Sequence, residues 1–218
     1  MQTTFDMITW APEHYRAQAY EINNTYFTVD TAEPDEVYDW VNHNRLMVTY
    51  ALHKDRVQGF FNVMPLTHEA GQLFSCNEIK EEEITTGHIL APHVMRFAEY
   101  LYFPAIASKE YPSYLARQCT AAMVSALATH ILTMYDEKRL KKIFANPTTF
   151  QGNRMVQKLG LRPLAGFKKP LTGNDLYYAD FDEAMFANLR WLQDRYARFV
   201  GRNTWVSGEW KKNLPPTE

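Results

Sequence analysis

Two side chains in the middle of the sequence have the chemistry needed for proton transfer. Glu99 lies in a run rich in aromatic and apolar residues, where a carboxylate is costly to bury unless it is used or paired. His93 precedes it, near a loop, where a lone histidine is usually polar surface. Because a carboxylate or an imidazole beside a nucleophile can remove its proton, Glu99 is the first candidate base and His93 the second.

Several other chemistries lack their motifs in this sequence. The seven histidines show no His-Glu-x-x-His or paired metal-ligand spacing, so we expect no metal site. Neither Gly-x-Ser-x-Gly nor a phosphate-loop Gly-Lys-Ser/Thr occurs. A net charge of −2 gives no bulk reason for nucleic-acid or membrane binding, and no run of about 18 apolar residues suggests a membrane span. Cys76 and Cys119 have no redox or metal spacing, which favours a reduced, cytoplasmic protein.

The stretch that would position Glu99 reads as a strand over residues 97–107 that contains Pro104. Proline removes a ladder hydrogen bond, so this strand must be an edge strand, carry a bulge, or part from its neighbour there. The last of these alternatives would leave a cleft.

A long helix is predicted next, over residues 114–135. Its apolar residues recur every three or four positions, and between Arg117 and Asp136 the ionisable groups are Cys119, His130 and Tyr135. This helix should therefore be mostly buried. A short strand over 142–147 and a short helix over 152–161 follow, the helix ending at Gly160.

The rest of the chain alternates between strands and helices. Further strands are predicted at 5–10, 46–53, 57–64, 161–167 and 176–181, and further helices begin near residues 12, 33 and 182. Pro65 should end the pairing of the 57–64 strand. The polar stretch 67–92, with its acidic cluster, is interpreted as a solvated helix or loop face rather than a patch that recognises a basic substrate. The apolar stripe of the last helix either docks on the domain or forms a dimer seam.

The middle of the chain contains a strand that splays, then a long helix, a second strand and a short helix that ends in Lys158-Leu159-Gly160-Leu161. This order of elements resembles the second half of the GCN5-related N-acetyltransferase (GNAT) superfamily. The resemblance covers residues from about 5 to 182 and suggests a divergent member. It implies an α/β fold with a mixed, splayed central sheet and flanking helices. We expect one GNAT-like domain over 1–182, and a C-terminal helix and tail over 183–218 that pack on the domain or on a partner.

The resemblance also implies a site for acetyl-CoA or another acyl-CoA. The family's phosphate-binding turn is Arg or Gln, two residues, Gly, one residue, then Gly or Ala, and the nearest match here is Arg117-Gln118-Cys119-Thr120-Ala121-Ala122. Thr120 replaces the glycine, so either its hydroxyl or main chain contacts phosphate or the site is lost. The cofactor-binding residues implied are Ile106, Ser108, Arg117, Gln118, Thr120, Ala122, Asn146 and Asn153.

For catalysis, Glu99 occupies a position that resembles the family's base, with His93 as the second candidate. The family's proton-donating tyrosine is replaced by Val156, and Tyr178 or its neighbour Tyr177 is the candidate substitute from the last strand. A structural role for either tyrosine competes with this interpretation.

The function implied is transfer of an acyl group, most simply acetyl, from acyl-CoA to a small-molecule or peptide amine by direct attack in a ternary complex. Two alternatives stay open: a non-catalytic relative that binds a protein partner, and an acyltransferase whose donor is an acyl carrier protein or aminoacyl-tRNA. We expect no direct nucleic-acid or membrane partner, and a homodimer through the C-terminal helix is one alternative.

Overall fold

A computed structural model describes residues 3–10, 12–26, 34–76, 78–110, 113–147, 149–168, 175–204 and 208. The strands are β1 (Phe5–Thr9), β2 (Val48–His53), β3 (Arg56–Asn62), β4 (Met64–Leu66), β5 (Tyr100–Phe103), β6 (Ile106–Ser108), β7 (Lys142–Ala145), β8 (Arg162–Lys168), β9 (Asp175–Asp180) and β10 (Val200–Asn203). The α-helices are α1 (Glu13–Tyr26), α2 (Pro34–His43), α3 (His68–Cys76), α4 (Tyr114–Met134), α5 (Phe150–Lys158) and α6 (Glu183–Tyr196).

The strands form two sheets that meet where β3 is followed by β4 and where β5 is followed by β6. One sheet has the order β10-β1-β2-β3-β6 and the other the order β4-β5-β7-β9-β8. The chain passes from the first sheet to the second through β3 and β4, and returns through β5 and β6. In the second sheet β5 and β7 are parallel, and the crossover between them contains α4. This is the mixed, splayed α/β sheet that the sequence predicts.

The splay occurs at Pro104. Asn62 N donates to Ala105 O at 2.9 Å, whereas Met64 lies opposite Tyr102, so one strand advances by two residues while the other advances by three. The extra residue is a β-bulge at Phe103–Pro104. The β5–β7 ladder ends with Phe103 opposite Ala145, and the two strands then part. Of the three alternatives for Pro104, two therefore hold together: the strand carries a bulge and it parts from its neighbour.

Helices cover both faces of the sheets. We call the face under α4, α5 and α6 the front face and the face under α1, α2 and α3 the back face. The long helix α4 is as buried as predicted: Cys119 and His130 have no exposed surface and Tyr135 is 5% exposed. Burial lowers the pKa of His130 to about 3, so its imidazole is neutral. No helix in the described ranges is long and apolar enough to cross a membrane.

Two local predictions need correction. The predicted strand 97–107 is a 3₁₀ turn (Met95–Phe97) followed by β5 and β6. Pro65 does not end the pairing but lies within β4, opposite Leu101, because β4 is an edge strand of its sheet, where a missing N–H is tolerated.

The polar stretch 67–92, interpreted as a solvated helix or loop face, contains the helix α3, which buries Ala70 and Phe74 on one side. In its acidic cluster Glu82 and Glu83 are exposed, as a solvated face requires. Glu81 is instead half-buried and accepts a hydrogen bond from the Tyr102 hydroxyl.

The C-terminal segment closes the front face. Met185, Phe186, Leu189 and Leu192 of α6 are buried in the core shared with α4, so this apolar stripe does not need a second copy of the chain to cover it. The unpredicted strand β10 then pairs in parallel with β1. Residues 205–207 and 209–218 of the predicted tail lie outside the described residues.

We expect Leu189→Asp to destabilise the protein by at least about 3 kcal/mol, because it places a carboxylate at a position with no exposed surface. Ala187→Asp, on the exposed side of the same helix, is the matched control and should change the free energy of unfolding by less than about 0.5 kcal/mol. Urea denaturation measures both. Equal effects of the two substitutions would show that α6 does not pack as described.

Candidate functional site

The parted strands leave two connected spaces on the front side of the splay. We call the first the slot: a narrow space of about 40 Å³ between the end of β7 and the start of β6. Its lining residues are Phe103, Pro104, Ala105, Ile106, Ala145, Asn146, Pro147, Thr149, Gly152, Met155 and Val156. We call the second the seam cavity: a space of about 530 Å³ between α4 and α5. Ile106, Thr149, Gly152 and Met155 line both spaces, so they are continuous.

One wall of the slot is an unpaired strand edge. The hydrogen bonds from Asn62 N to Ala105 O and from Lys109 N to Gln58 O fix which residues of β6 face β3. In an antiparallel pair these alternate, so the N–H and C=O groups of Ile106 and Ser108 point away from β3. In the described sheet β6 has no partner on that side. An extended ligand chain can therefore add to this edge as a strand would.

The opposite wall carries an unused hydrogen-bond acceptor. Asn146 follows β7 directly, and its Oδ1 is buried without a hydrogen-bond partner among the described residues. A buried polar atom of this kind is costly unless a ligand or water satisfies it. The slot thus offers strand amides on one side and an amide oxygen on the other.

The N-terminus of α4 lies at the mouth of the seam cavity. Ser113 caps the helix by accepting a hydrogen bond from Ala116 N at 3.2 Å. The N–H groups of Tyr114 and Leu115 have no acceptor within the helix, and Arg117, in the same turn, lines the cavity. The start of a helix of 21 residues with an adjacent arginine favours a bound anion.

Two further cations line the seam cavity, Arg154 and Lys158 of α5. They are four residues apart in the sequence and so lie on the same face of the helix. Among the described residues that line the cavity none is acidic. The rest of its wall is mostly apolar, with Met123 and Leu192, and also includes Ser108, Thr120 and Thr149.

No family model matches the sequence, and no curated protein matches it. Solved structures do match the fold. Ard1 from Thermoplasma volcanium aligns with 83% of this chain and 100% of its own, at 10% identity and a TM-score of 0.52. Aminoglycoside 6′-acetyltransferase type Ii aligns with 81% of this chain and 97% of its own, at 10% identity and a TM-score of 0.52.

The chain has the GCN5-related N-acetyltransferase fold. The identities are too low to assign an activity by similarity. The GNAT fold accounts for the parting of β5 and β7. Any reaction at that point depends on the residues that line it.

Five of the eight predicted cofactor residues line the slot or the seam cavity: Ile106, Ser108, Arg117, Thr120 and Asn146. The other three do not. Gln118 is buried and donates to the Tyr114 hydroxyl at 3.2 Å, Ala122 is in the core, and Asn153 donates to Thr149 O within its own helix at 3.1 Å.

The predicted phosphate turn needs a correction of register. Thr120 lies beyond the first turn of α4, where backbone N–H groups are already bonded within the helix. Its hydroxyl donates to Ala116 O at 2.9 Å and lies 3.2 Å from the Ser108 hydroxyl. Thr120 therefore links α4 to β6, and the N–H groups that lack an acceptor within the helix belong to Tyr114 and Leu115.

The predicted catalytic residues do not line either space. His93 is exposed. The Tyr178 ring packs on the back face between Lys142 and Arg162, at 5.5 and 4.9 Å. Its neighbour Tyr177 is buried on the front face, where Gln157 Nε2 lies 3.5 Å from its hydroxyl.

Glu99 lies just before β5, at the end of that strand opposite the splay, roughly 13 Å along the chain from Phe103. Its carboxylate accepts from Lys141 Nζ at 2.8 Å and lies 2.7 Å from His68 Nδ1. The hydrogen bond from Lys141, with that from His68, lowers the pKa of Glu99 below its ordinary value of 4.5. The separation and the lowered basicity both weigh against Glu99 as the base.

Sequence reasoning missed Arg154 and Lys158 of α5 and Tyr196 of α6. Arg154 and Lys158 carry a signal that could have been used, because cations four residues apart in a short helix share a face. Tyr196 of α6 also lines the seam cavity, but no local pattern indicates that α6 returns to this point.

The contacts of Glu99 with Lys141 and His68 should make the stability difference between wild type and a Glu99 variant depend on pH. Because the folded-state pKa of Glu99 is depressed, its ion pairs stabilise the fold above the unfolded-state pKa, and this contribution is lost as the pH falls through the folded-state value. We expect Glu99→Gln to be slightly less stable than wild type at neutral pH and the difference to vanish in acid. Urea denaturation at a series of pH values measures this, and a difference that grows towards acid would contradict the assignment.

Proposed function

We propose that this protein transfers an acyl group, most simply acetyl, from acyl-CoA to a small-molecule or peptide amine. The observation that carries the proposal is the slot at Pro104, where an unpaired strand edge faces the unsatisfied Oδ1 of Asn146. A pantetheine chain carries amide groups that suit both walls. The edge groups of Ile106 and Ser108 would bond to it as a strand does, and Asn146 Oδ1 would accept from one of its N–H groups.

The anion-binding features lie where such a donor needs them. The start of α4 and Arg117 stand at the mouth of the seam cavity, which is continuous with the slot. The diphosphate of CoA would sit there, and the thioester would reach the inner end of the slot. The slot is narrow at about 40 Å³, which supports a short acyl group.

The slot suggests how the reaction proceeds. Acyl-CoA supplies an activated thioester; the amine nitrogen forms a bond to the carbonyl carbon, the carbon–sulfur bond breaks, the nitrogen loses a proton and the thiolate gains one. None of the described residues lining the slot is ionisable. The chain's own contribution is therefore to hold the two reactants in register, which can accelerate a reaction greatly without a side-chain acid or base.

That same lack of ionisable groups favours a second candidate function, a non-catalytic GNAT-fold protein that binds acyl-CoA or a protein partner. An assay separates the two. Purified protein is titrated calorimetrically with acetyl-CoA, then incubated with it and a panel of polyamines, lysine-containing peptides and free peptide N-termini. Saturable binding with release of free thiol supports the enzyme. Binding without turnover on any acceptor supports the second candidate, and absence of binding at millimolar ligand overturns both CoA-based accounts.

The state of the two cysteines is relevant to the cellular compartment of the protein. Cys76 is exposed, Cys119 is buried, and both are free. Free thiols suit a reducing environment, which supports the proposal of a cytoplasmic protein.

Asn146→Ala should weaken acetyl-CoA binding about three- to tenfold, because it removes one hydrogen bond to the ligand. Asn153→Ala is the control: Asn153 bonds only within its own helix among the described contacts and should leave the affinity unchanged. Calorimetry measures both. If Asn146→Ala binds as tightly as wild type, the amide oxygen is not part of the donor site.

A further inference from the structure

A polar cleft lies apart from the slot, between the end of β1, the start of α1 and the end of α2. Its volume is about 660 Å³, and its lining residues include Trp10, Glu13, Arg16, Tyr38, Asn42 and Arg45. We call this space the Trp10 cleft. It shares no lining residue with the slot or the seam cavity, and the proposed function makes no use of it.

The backbone of Trp10 is held in an unfavourable conformation. Trp10 follows β1 directly and has a φ of 60°, in the left-handed region that large side chains rarely adopt. Its indole packs against the front-face core, and the Arg45 guanidinium lies over its ring, 5.3 Å from the ring centre. Conformations of this kind persist where the surrounding structure fixes them, and they are concentrated at binding sites. The indole and the guanidinium are therefore fixed together at the edge of the cleft.

The two guanidiniums of the cleft have neutral partners. Arg16 Nη1 donates to Asn42 Oδ1 at 3.0 Å, and Arg45 lies over Trp10. Both arginines are partly buried, and neither forms an ion pair with an acid within the described ranges of the chain. A guanidinium has five N–H donors in a planar fork that matches the oxygens of a carboxylate or a phosphate. Most of these donors are therefore available to a ligand.

The rest of the lining suits an anionic group on a flat ring. Because Asn42 Oδ1 accepts from Arg16, the other end of this amide, Nδ2, offers donors alone. The Tyr38 side chain is 38% exposed and gives the cleft an aromatic surface. Glu13 is the one acid among the described lining residues. Two cations against one acid leave the cleft positively charged beside its aromatic surface.

We propose that the Trp10 cleft is a second binding site, for a small molecule in which a carboxylate or a phosphate is attached to a planar ring. The oxyanion would accept hydrogen bonds from Arg16, Arg45 and Asn42 Nδ2, and the ring would pack on Tyr38. This inference goes beyond the proposed function, because the ligand and the acyl donor occupy separate spaces and bind at the same time.

Phenylphosphate and benzoate are the probes, because they carry the two oxyanions on the same ring. The full chain is titrated with each at constant ionic strength and followed by NMR through the indole N–H signals of its five tryptophans, with Trp10 assigned from a Trp10→Phe variant. The Trp10 signal should shift and saturate with a dissociation constant of about 1 mM or lower. The signal of Trp191, which is 52% exposed on α6, should stay in place. The tighter of the two probes identifies the oxyanion.

Substitutions assign the contacts. Arg16→Gln and Arg45→Gln should each weaken the tighter probe about tenfold or more, because each removes a charge-assisted pair. Arg154→Gln, in the seam cavity, removes the same charge elsewhere and should leave the affinity unchanged. Tyr38→Ala should weaken phenylphosphate but not inorganic phosphate. The unshifted signals in each spectrum show that the variant is folded.

Three results would overturn this site. One is a Trp10 shift that stays linear up to about 20 mM probe, as two solvated surface cations would give. Another is equally tight binding of benzylamine, which carries a cation on the same ring, because the guanidiniums would then not select the ligand. The third is loss of probe binding in saturating acetyl-CoA, which would place the probe in the donor site. If acetyl-CoA itself does not bind, the proposed function fails while the probes still test the cleft.

Discussion

The parting of two strands at Pro104 is the constraint on which the rest of the structure depends. Proline has no N–H to give to a ladder, and the bulge at Phe103–Pro104 turns the chain from one sheet into the other. On the sides away from the slot, β6 stays paired with β3 and β7 stays paired with β9. The inner edges of β6 and of the chain after β7 face each other across the slot. Among the described residues, β6 has no strand partner on this side and Asn146 Oδ1 has no hydrogen-bond partner.

This arrangement separates two kinds of recognition. Inside the slot the available contacts are neutral: backbone groups at Ile106 and Ser108, and the amide of Asn146. The charged contacts lie outside it, at the start of α4 and on α5, where water can reach them. A neutral, enclosed slot is a suitable place to hold a thioester and an amine in register. In the proposed function, the cationic side chains further out bind the donor without entering the reaction.

The sequence predicted most of the fold because its signals are local. Pro104 within an apolar run, the three-and-four spacing in α4, and Gly160, which adopts the left-handed conformation at φ 94°, each determine one element. The predictions fail where packing between residues distant in the sequence determines the structure. Pro65 is tolerated only because β4 is an edge strand, and β10 forms only because β1 has a free side.

The site was less predictable for the same reason. The positions of Asn146, Ile106 and Ser108 at the site could be predicted because they lie directly after the point where the strands part. The motif match placed Thr120 in the phosphate-binding turn. In the structure the helix already begins after its cap at Ser113, so the motif lies inside the helix. Glu99 was assigned from its strand, but which end of a strand meets a cleft depends on where the neighbouring strand departs. The role of α6 requires knowledge of how the C-terminus folds back, which its own residues do not encode.

In the proposed function, the donor chain adds to the edge of β6 that has no strand partner among the described residues. Amide hydrogen exchange, resolved by residue with NMR, tests it most directly, with and without saturating acetyl-CoA. The account predicts that the amides of Ile106 and Ser108 become protected on binding, while that of Ala107, which already faces β3, exchanges at an unchanged rate. Saturable binding that leaves Ile106 and Ser108 unprotected would contradict it.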